Sequence, residues 1–218
     1  MKIYENGSNW VIEDQLNEKL VEKINNLIDE NLNSLFKLKE GSSTTGKNAE
    51  QYFLIKNNKF YFKNKTFEDI KIEYNSQILN RLKKSNLLNE KIQKNISIEN
   101  KNCWSVIGEE NSYHTPHFHN SGNFDGISTI VYLKVPQTNI EDSPENNLFL
   151  LMNANVKNNF YANKPSNIMI NPSIGKLLIF PGWITHGTCP QSKGIRQTFN
   201  MDYALICKKE KNNNLNYA

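Results

Sequence analysis

Three of the four histidines in this 218-residue chain have types and spacings that suit metal binding. His117 and His119 are two residues apart, so on an extended segment their side chains point to the same side. His186 follows the apolar run 175–181, which places it after a predicted strand. Imidazole nitrogen is a good ligand for iron, zinc, copper and nickel. The pattern therefore predicts a metal site formed by these three histidines.

A possible anion-binding group follows on the next predicted strand. Alternation along this strand places Arg196, Thr198 and Asn200 on one face and large apolar side chains on the other. If that polar face lies inside a barrel, its groups must be paired or bind a ligand. The guanidinium fork of arginine suits a bidentate carboxylate. An exposed polar face is the alternative, because arginine is mostly exposed in proteins.

Tyr132 is a second candidate for contacting the same carboxylate. In the predicted strand 126–135, Ser128 and Tyr132 share one face. A core tyrosine whose hydroxyl is hydrogen-bonded elsewhere fits the sequence equally well. His114 and Trp104 are weaker candidates for residues that line the same pocket.

Two amphipathic helices are predicted before these segments. Apolar residues recur at helical spacing from Leu16 to Leu35, with Asp14 as the expected N-cap, and again over residues 67–84. A short third helix is expected over residues 89–95. Short strands are also predicted in this half of the chain, at residues 9–13, 51–56 and 59–63.

From residue 102 onward, β-rich runs alternate with Gly, Pro and Asn, which is typical of a sandwich or barrel. The runs are 102–107, 113–119, 126–135, 148–152, 166–170, 176–181 and 194–206. Helices first and strands later favour an α+β fold, with helices supporting one face of a β-sandwich. One domain is predicted over residues 1–218. Its expected parts are a helical or mixed support over 1–100 and a β core over 101–207.

Composition indicates a soluble intracellular protein. The net charge is +4, and the basic residues are scattered without an arginine cluster, so nucleic acid is not indicated. An odd number of widely spaced cysteines (Cys103, Cys189 and Cys207) favours a reducing compartment, the cytoplasm. No apolar run approaches the roughly twenty residues of a membrane span.

Residues 41–47 nearly spell a phosphate-binding loop, but Asn48 replaces the required Ser or Thr, so a flexible loop is expected.

Taken together, the motifs resemble those of the iron(II)- and 2-oxoglutarate-dependent dioxygenases, especially prolyl-hydroxylase-like and phage or marine-bacterial oxygenases. That family has HxD or HxE, a strand ending in Tyr-Leu, a Gly-x-Leu-x-Phe-Pro strand, a distal histidine and an arginine in RxS. Here Tyr132-Leu133, the run 175–181, His186 and Arg196-Gln-Thr match in that order, over about residues 102–206. The resemblance implies a double-stranded β-helix (jelly-roll) core with N-terminal supporting helices.

One position departs from the family pattern, because His119 stands where the family has a carboxylate ligand. Two histidines and one carboxylate form the usual non-haem iron site. Three histidines are the direct interpretation here, and HxH is then a subfamily trait. Asp125 is the alternative third ligand, although its glycine-flanked loop is typical of a turn.

The resemblance implies a hydroxylase that uses Fe(II), 2-oxoglutarate and O2. The implied iron ligands, and hence the catalytic residues, are His117, His119 and His186. The implied 2-oxoglutarate contacts are Arg196, Tyr132, Thr198 and Asn200. The substrate is a small molecule or a protein side chain, and residues 136–166 are the expected variable substrate loop. The sequence indicates no oligomeric state.

Two alternative functions fit the missing carboxylate. The first is a cupin-like metal-binding module that has kept the jelly roll and lost the iron chemistry. The second is a three-histidine dioxygenase that does not use 2-oxoglutarate, in which Arg196 holds an acidic substrate directly. The presence of both Arg196 and Tyr132 argues against the first alternative, because an inactive site has no need of a carboxylate clamp.

Overall fold

The computed structural model describes residues 1–38, 48–88, 90–119, 126–137, 144–152 and 167–207. The helices are α1 (Glu18–Asn31), α2 (Lys65–Lys84) and α3 (Glu90–Asn95), with a 3-10 turn at Leu32–Ser34. The strands are β1 (Lys2–Asn6), β2 (Asn9–Gln15), β3 (Phe36–Lys37), β4 (Ala49–Lys56), β5 (Lys59–Phe60), β6 (Ile96–Gly108), β7 (Gly126–Lys134), β8 (Leu148–Leu151), β9 (Asn167–Ile170), β10 (Lys176–Pro181), β11 (His186–Thr188) and β12 (Arg196–Cys207). None of the helices in the described ranges is both long and apolar enough to cross a membrane.

The two long helices each begin at an asparagine. The side chain of Asn17 accepts a hydrogen bond from the Leu20 N–H at 3.3 Å, and Asn64 caps α2 in the same way at 2.7 Å. Such caps satisfy N–H groups that the first turn leaves unpaired. The prediction that Asp14 caps α1 is wrong. Asp14 lies in β2, where its carboxylate accepts a hydrogen bond from Arg81 Nε at 2.7 Å.

The strands form two antiparallel sheets. The large sheet has nine strands in the order β1-β2-β10-β7-β12-β6-β4-β3, with β5 paired to β4. The small sheet has the order β11-β8-β9. A cluster of buried residues from β7, β8, β9 and β10 fills the space between the sheets, so they face each other as the two halves of a jelly roll. Together with the helices, this arrangement confirms the predicted fold class.

Helices α1 and α2 cover the opposite face of the large sheet. On β7, Val131 and Leu133 pack in the helix-side core, whereas Tyr132 belongs to the core between the sheets. On β12, Phe199 packs towards the helices and meets Tyr74 of α2 edge to face, with ring centroids 5.6 Å apart. The alternation predicted for both strands is therefore confirmed.

The first hundred residues contribute more than helices to this architecture. Strands β1, β2 and β4 belong to the large sheet, and β6 already begins at Ile96. The predicted division at residue 101 therefore falls inside a strand. Strands from both sides of residue 101 therefore pair within the large sheet that positions the site.

The prediction of a strand over residues 113–119 is wrong. This segment joins the small sheet only through isolated contacts. The N–H of each of His117 and His186 donates to the carbonyl oxygen of the other at 2.9 and 2.8 Å, and the Thr188 N–H donates to the His114 carbonyl oxygen at 3.1 Å. The His119 N–H donates to the Gly182 carbonyl at 2.8 Å. A Cβ atom at position 182 would lie 2.9 Å from the His119 carbonyl oxygen, so this approach requires glycine. Backbone hydrogen bonds thus fix these histidines without a regular strand.

Candidate active site

The three histidines predicted to bind a metal come together at one end of the jelly roll. One ring nitrogen from each of His117, His119 and His186 lies within 4.8 Å of the others. The ring centroids of His117 and His186 are 4.5 Å apart, as their backbone bridge requires. Within the described residues, no other group of three or more metal-ligand side chains is clustered in this way.

The outer nitrogens of the three rings are all engaged by acceptors. His117 Nδ1 lies 2.8 Å from the Thr115 carbonyl oxygen, and His186 Nδ1 lies 3.0 Å from the Ile184 carbonyl oxygen. His119 Nδ1 lies 2.8 Å from Asp202 Oδ1. Because these oxygens only accept, each Nδ1 carries the hydrogen and each Nε2 has a free lone pair. This is the tautomer that a metal site built on Nε2 needs.

The environment also keeps two of these imidazole rings neutral. Burial lowers the pKa of His117, and burial with the neighbouring histidines His119 and His117 holds the pKa of His186 well below its usual range. Neutral imidazole is the form that binds metal ions. The donor set, its tautomers and its protonation therefore fit a divalent transition metal.

His114 lies beside this group but is not part of it. Its ring centroid is 5.7 Å from that of His117, and burial is the main factor that lowers its pKa to about 3. Its Nε2 is buried and has no hydrogen-bond partner among the described residues. A buried polar atom without a partner is costly, so this nitrogen marks a position that a ligand would satisfy.

Arg196 lies in the same cavity, with only 3% of its surface exposed. Its guanidinium donates to Thr188 Oγ1 at 3.1 Å and to the Asn146 carbonyl oxygen at 3.5 Å. No carboxylate among the described residues forms an ion pair with it. A buried cation without an anionic partner pays a large desolvation penalty. The cavity therefore favours an anionic ligand at this end.

Tyr132 reaches the cavity from β7, as predicted. Burial raises the pKa of its hydroxyl to about 12, which keeps the hydroxyl protonated. Thr198 also lines the cavity. Asn200 donates to Thr198 Oγ1 at 3.0 Å and to the Trp104 carbonyl oxygen at 3.3 Å. Its amide therefore orients its neighbours on β12 and β6, although it too borders the cavity.

Sequence reasoning missed Asp202, which follows Arg196, Thr198 and Asn200 on the same face of β12. Its carboxylate accepts hydrogen bonds from Ser128 Oγ at 2.7 Å and Asn102 Nδ2 at 2.9 Å, besides its contact with His119. Burial raises the pKa of Asp202, but the interaction with His119 and these hydrogen bonds together lower it below its usual value. Extending the alternation by one more pair of residues would have placed Asp202 in the cavity.

The cavity has a volume of about 260 Å³ and extends outward from the histidines to a second wall. Trp104 and Phe53 stack there, with ring centroids 5.8 Å apart and planes inclined by 21°. Lys56 Nζ lies 5.0 Å from the centroid of the Phe53 ring. Polar side chains of β4, β6 and the turn after β4 complete the wall, namely Gln51, Asn57 and Asn102. Trp104 and His114 were predicted to line the pocket, and they do.

Several segments discussed in the sequence analysis lie outside the described residues. They are the alternative ligand Asp125, the phosphate-loop-like segment 41–47, and residues 138–143 and 153–166 of the expected substrate loop. Among the described residues, His119 is the third member of the histidine group.

Fold and site together define a class of protein, the jelly-roll oxygenases that hold a non-haem metal. Residues 102–202 match a family model described as "Putative 2OG-Fe(II) oxygenase". The matched segment carries all three grouped histidines, Arg196 and Asp202. This segment therefore resembles the Fe(II)- and 2-oxoglutarate-dependent oxygenases, as the motifs predicted. A search of curated proteins found no significant match.

Solved structures of low sequence identity share the fold. A prolyl-4-hydroxylase from Pseudomonas putida aligns with a TM-score of 0.57 at 12% identity, covering 89% of this chain and 91% of that one. A prolyl hydroxylase from Trichoplax adhaerens, in complex with a peptide fragment of a hypoxia inducible factor oxygen degradation domain, aligns with a TM-score of 0.56 at 15% identity. That alignment covers 91% of this chain and 84% of the other. A viral collagen prolyl hydroxylase from Paramecium Bursaria Chlorella virus-1, in a 2-oxoglutarate complex, aligns with a TM-score of 0.51 at 15% identity over 89% and 96% of the two chains.

The protein is accordingly a non-haem oxygenase of the dioxygenase type. The family that the matching model describes uses Fe(II), 2-oxoglutarate and O2. The three histidines described above, whose Nδ1 atoms point to acceptors, are compatible with this metal, since imidazole is a good ligand for iron.

Proposed function

We propose that the enzyme hydroxylates its substrate at an iron held by His117, His119 and His186. Arg196 pairs with the distal carboxylate of 2-oxoglutarate, and Tyr132 and Thr198 add hydrogen bonds to it. The observation that carries this proposal is the position of Arg196. Its buried guanidinium has no carboxylate partner among the described residues and lines the same cavity as the three histidines.

When bound, iron and 2-oxoglutarate supply the oxygen activation, in which decarboxylation of the cosubstrate to succinate is coupled to oxidation of a C–H bond. The protein residues orient and enclose the reactants. Phe180 packs against the ring of His186, with centroids 4.9 Å apart, and shields that ligand from water. Arg196 fixes the far end of the cosubstrate and so sets the direction in which its near end points.

The three-histidine dioxygenase without 2-oxoglutarate makes a different use of Arg196, because the arginine would then hold the substrate. The cupin-like module predicts metal binding without turnover. All three alternatives bind metal, so only a test of the cosubstrate separates them.

The deciding experiment is a titration of the anaerobic Fe(II)-loaded protein with 2-oxoglutarate. The expected result is the weak visible charge-transfer band of a chelated Fe(II)–2-oxoglutarate complex. Arg196→Ala should weaken 2-oxoglutarate binding about 30-fold or more, because truncating one partner of a buried charge pair costs about 2 kcal/mol or more. Lys193→Ala, an exposed cation on the same approach to β12, is the matched control and should leave the band unchanged. Iron binding without a band would exclude the 2-oxoglutarate role of Arg196.

For the substrate, we propose a compound or side chain with a flat or apolar body and one negative charge. Apart from its histidines, the cavity has three charged groups among its described lining residues, Lys56, Arg196 and Asp202. Arg196 is assigned to 2-oxoglutarate, and Asp202 contacts His119. Lys56 remains without an ion pair among the described residues, beside the stacked wall of Phe53 and Trp104. An acidic group near Lys56 would place the apolar body of the substrate against this wall.

This substrate class covers both forms expected from the sequence, a small molecule and a protein side chain. The Trichoplax structure contains a peptide, so a fold of this kind admits a protein substrate. In either form, the group that reaches the iron must pass the aromatic wall. The wall therefore selects the body of the substrate, and Lys56 selects its charge.

The charge requirement is tested with 3-phenylpropionate and its neutral amide as probes. Binding is measured by calorimetry on the anaerobic protein with saturating Fe(II) and 2-oxoglutarate. The acid should bind more tightly than the amide, and Lys56→Gln should remove the difference. Lys59→Gln, an exposed lysine on the neighbouring β5, should retain it. Equal binding of the two probes by the unaltered protein would rule out charge selection by Lys56.

We also propose that the protein works in the cytoplasm. Cys103 and Cys189 are free thiols. Free thiols and a site for Fe(II) are both suited to a reducing compartment. Fractionation of cells that produce the tagged protein tests this proposal.

A further inference from the structure

The outer partner of His119 differs in kind from those of the other two grouped histidines. His117 and His186 direct Nδ1 to backbone carbonyl oxygens, which are neutral. His119 directs Nδ1 to the carboxylate of Asp202 at 2.8 Å. Ser128 Oγ lies at the same distance from this nitrogen. The three imidazoles are therefore chemically unequal, although they lie in one cluster.

Asp202 is built into this position. It is 6% exposed, and its carboxylate accepts hydrogen bonds from Ser128 at 2.7 Å and Asn102 at 2.9 Å. These donors come from β7 and β6, the two strands that pair with β12. Among the described residues, Asp202 forms its ion-pair contact with His119 and with no lysine or arginine. A buried carboxylate with this set of partners directs its charge at one imidazole.

We propose that Asp202 supplies, through His119, the negative charge that a carboxylate ligand would otherwise bring to the iron site. This inference rests on the proposed iron site. A carboxylate hydrogen-bonded to the outer nitrogen of a histidine ligand fixes the ring and raises its basicity. Three neutral imidazoles with Asp202 give the whole assembly the same net charge as two imidazoles and one carboxylate ligand. In the HxH site, the negative charge therefore lies on the hydrogen-bond partner of a histidine ligand, whereas in an HxD site it lies on the ligand itself.

A purely structural role for Asp202 makes a different prediction. In that case its hydrogen bonds to Asn102 and Ser128 tie three strands together, and its loss affects folding whether or not a metal is present. In the proposed role, its loss mainly affects the metal, and the effect depends on which side chain stands at position 119.

The test is a double-mutant cycle read out by Co(II) binding, in which Co(II) affinity is measured by chelator competition and the ligand-field spectrum is recorded. Asp202→Asn should weaken Co(II) binding by about 10- to 100-fold, the usual effect of removing such an outer partner. In the His119→Asp background, where the ligand itself is anionic, the same substitution should cause no loss of affinity. The melting temperature of each metal-free variant is recorded to exclude unfolding.

The outcomes separate this inference from the iron site itself. An equal loss of affinity from Asp202→Asn in both backgrounds, or no loss in either, would overturn the inference. Co(II) binding by His186→Ala as tight as that of the unaltered protein would instead overturn the iron site.

A second measurement needs no variant and remains decisive if Asp202→Asn does not fold. Long-range ¹H–¹⁵N correlation spectra of the Zn(II)-loaded protein report which ring nitrogen of each histidine is protonated. The expected pattern for His119 is metal on Nε2 and hydrogen on Nδ1, with that hydrogen shifted further downfield than the Nδ1 hydrogens of His117 and His186. A His119 ring bound through Nδ1, or Nδ1 hydrogen shifts that are equal in all three rings, would contradict the role of Asp202.

Discussion

The inner end of the cavity comes from one contiguous part of the chain, whereas its outer wall combines residues from two parts. The inner end, with the three grouped histidines and Arg196, lies within the segment 102–202 that matches the oxygenase family. The outer wall takes Phe53 and Lys56 from β4, which precedes that segment and joins it by pairing with β6. The reaction is therefore carried by a contiguous stretch of sequence, whereas the proposed substrate selection depends on a strand added to the sheet from outside it.

The largest expected effect comes from breaking the inner end. His186→Ala removes one of three ligands, so tight Fe(II) binding and 2-oxoglutarate turnover should fall to the background of metal-free protein. Equilibrium dialysis and succinate formation measure the two effects. His114→Asn is the matched control, because His114 lies beside the cluster but outside it. If His114→Asn loses iron as completely as His186→Ala, the ligand set is wrong.

A substitution in the outer wall should weaken substrate binding and leave cosubstrate binding at the inner end unchanged. Trp104→Leu removes the stacking partner of Phe53, so binding of 3-phenylpropionate should weaken about tenfold, as expected for a loss of about 1.4 kcal/mol of aromatic packing. The Fe(II)–2-oxoglutarate band should appear at the same cosubstrate concentration as before. A variant that loses the band and the probe together would mean that the wall and the inner end act as one site.

A smaller effect is expected where a single hydroxyl is removed from the inner end. Tyr132→Phe should raise the KM for 2-oxoglutarate about fivefold, the equivalent of a hydrogen bond worth about 1 kcal/mol, with little change in kcat. Because burial raises the pKa of Tyr132 to about 12, the hydroxyl stays protonated across the working range. The ratio of KM between the variant and the unaltered protein should therefore be constant from about pH 6.5 to 9, well below that pKa. A ratio that falls towards pH 9 would show that the hydroxyl ionises in that range.

The smallest effect is expected from a substitution that lies outside both regions of the cavity. Asp14 pairs with the N-terminal amine at 3.1 Å and with Arg81 at 2.7 Å, and these contacts outweigh burial and lower its pKa. Its carboxylate therefore stabilises the fold above the ordinary carboxyl pKa, and this contribution is lost as the pH falls through the lowered value. Asp14→Asn should reduce the free energy of unfolding by about 1 kcal/mol at neutral pH, with a smaller deficit below about pH 4. Urea unfolding at both pH values measures this, and a deficit that persists in acid would point to lost packing.

Features that follow from local sequence pattern could be predicted, whereas features that depend on pairing between distant strands could not. Alternation along β7 and β12 placed Tyr132 and Arg196 on the cavity face, because strand faces follow from neighbouring residues alone. The role of Asp202 could not be predicted in that way, since its partner His119 is 83 residues away in sequence. The same holds for Phe53, whose contact with Trp104 depends on the register between β4 and β6.

The N-terminal region shows the same limit. Helical spacing predicted α1 and α2, but Asp14 and Asn17 are both good caps, and local sequence cannot choose between them. Strand β1 went unpredicted because its five residues acquire their strand partners only from β2.

Strand β12 carries Arg196 and Asp202 on one face, six residues apart, and so spans about 20 Å between the two groups at the usual rise per residue. Inserting or deleting one residue between them would turn one of the two groups towards the helices. Insertions in the loops around this cavity leave the face of β12 unchanged, whereas within this strand only substitutions preserve it. Engineers who graft new substrate loops onto the scaffold should leave residues 196–202 at their native length.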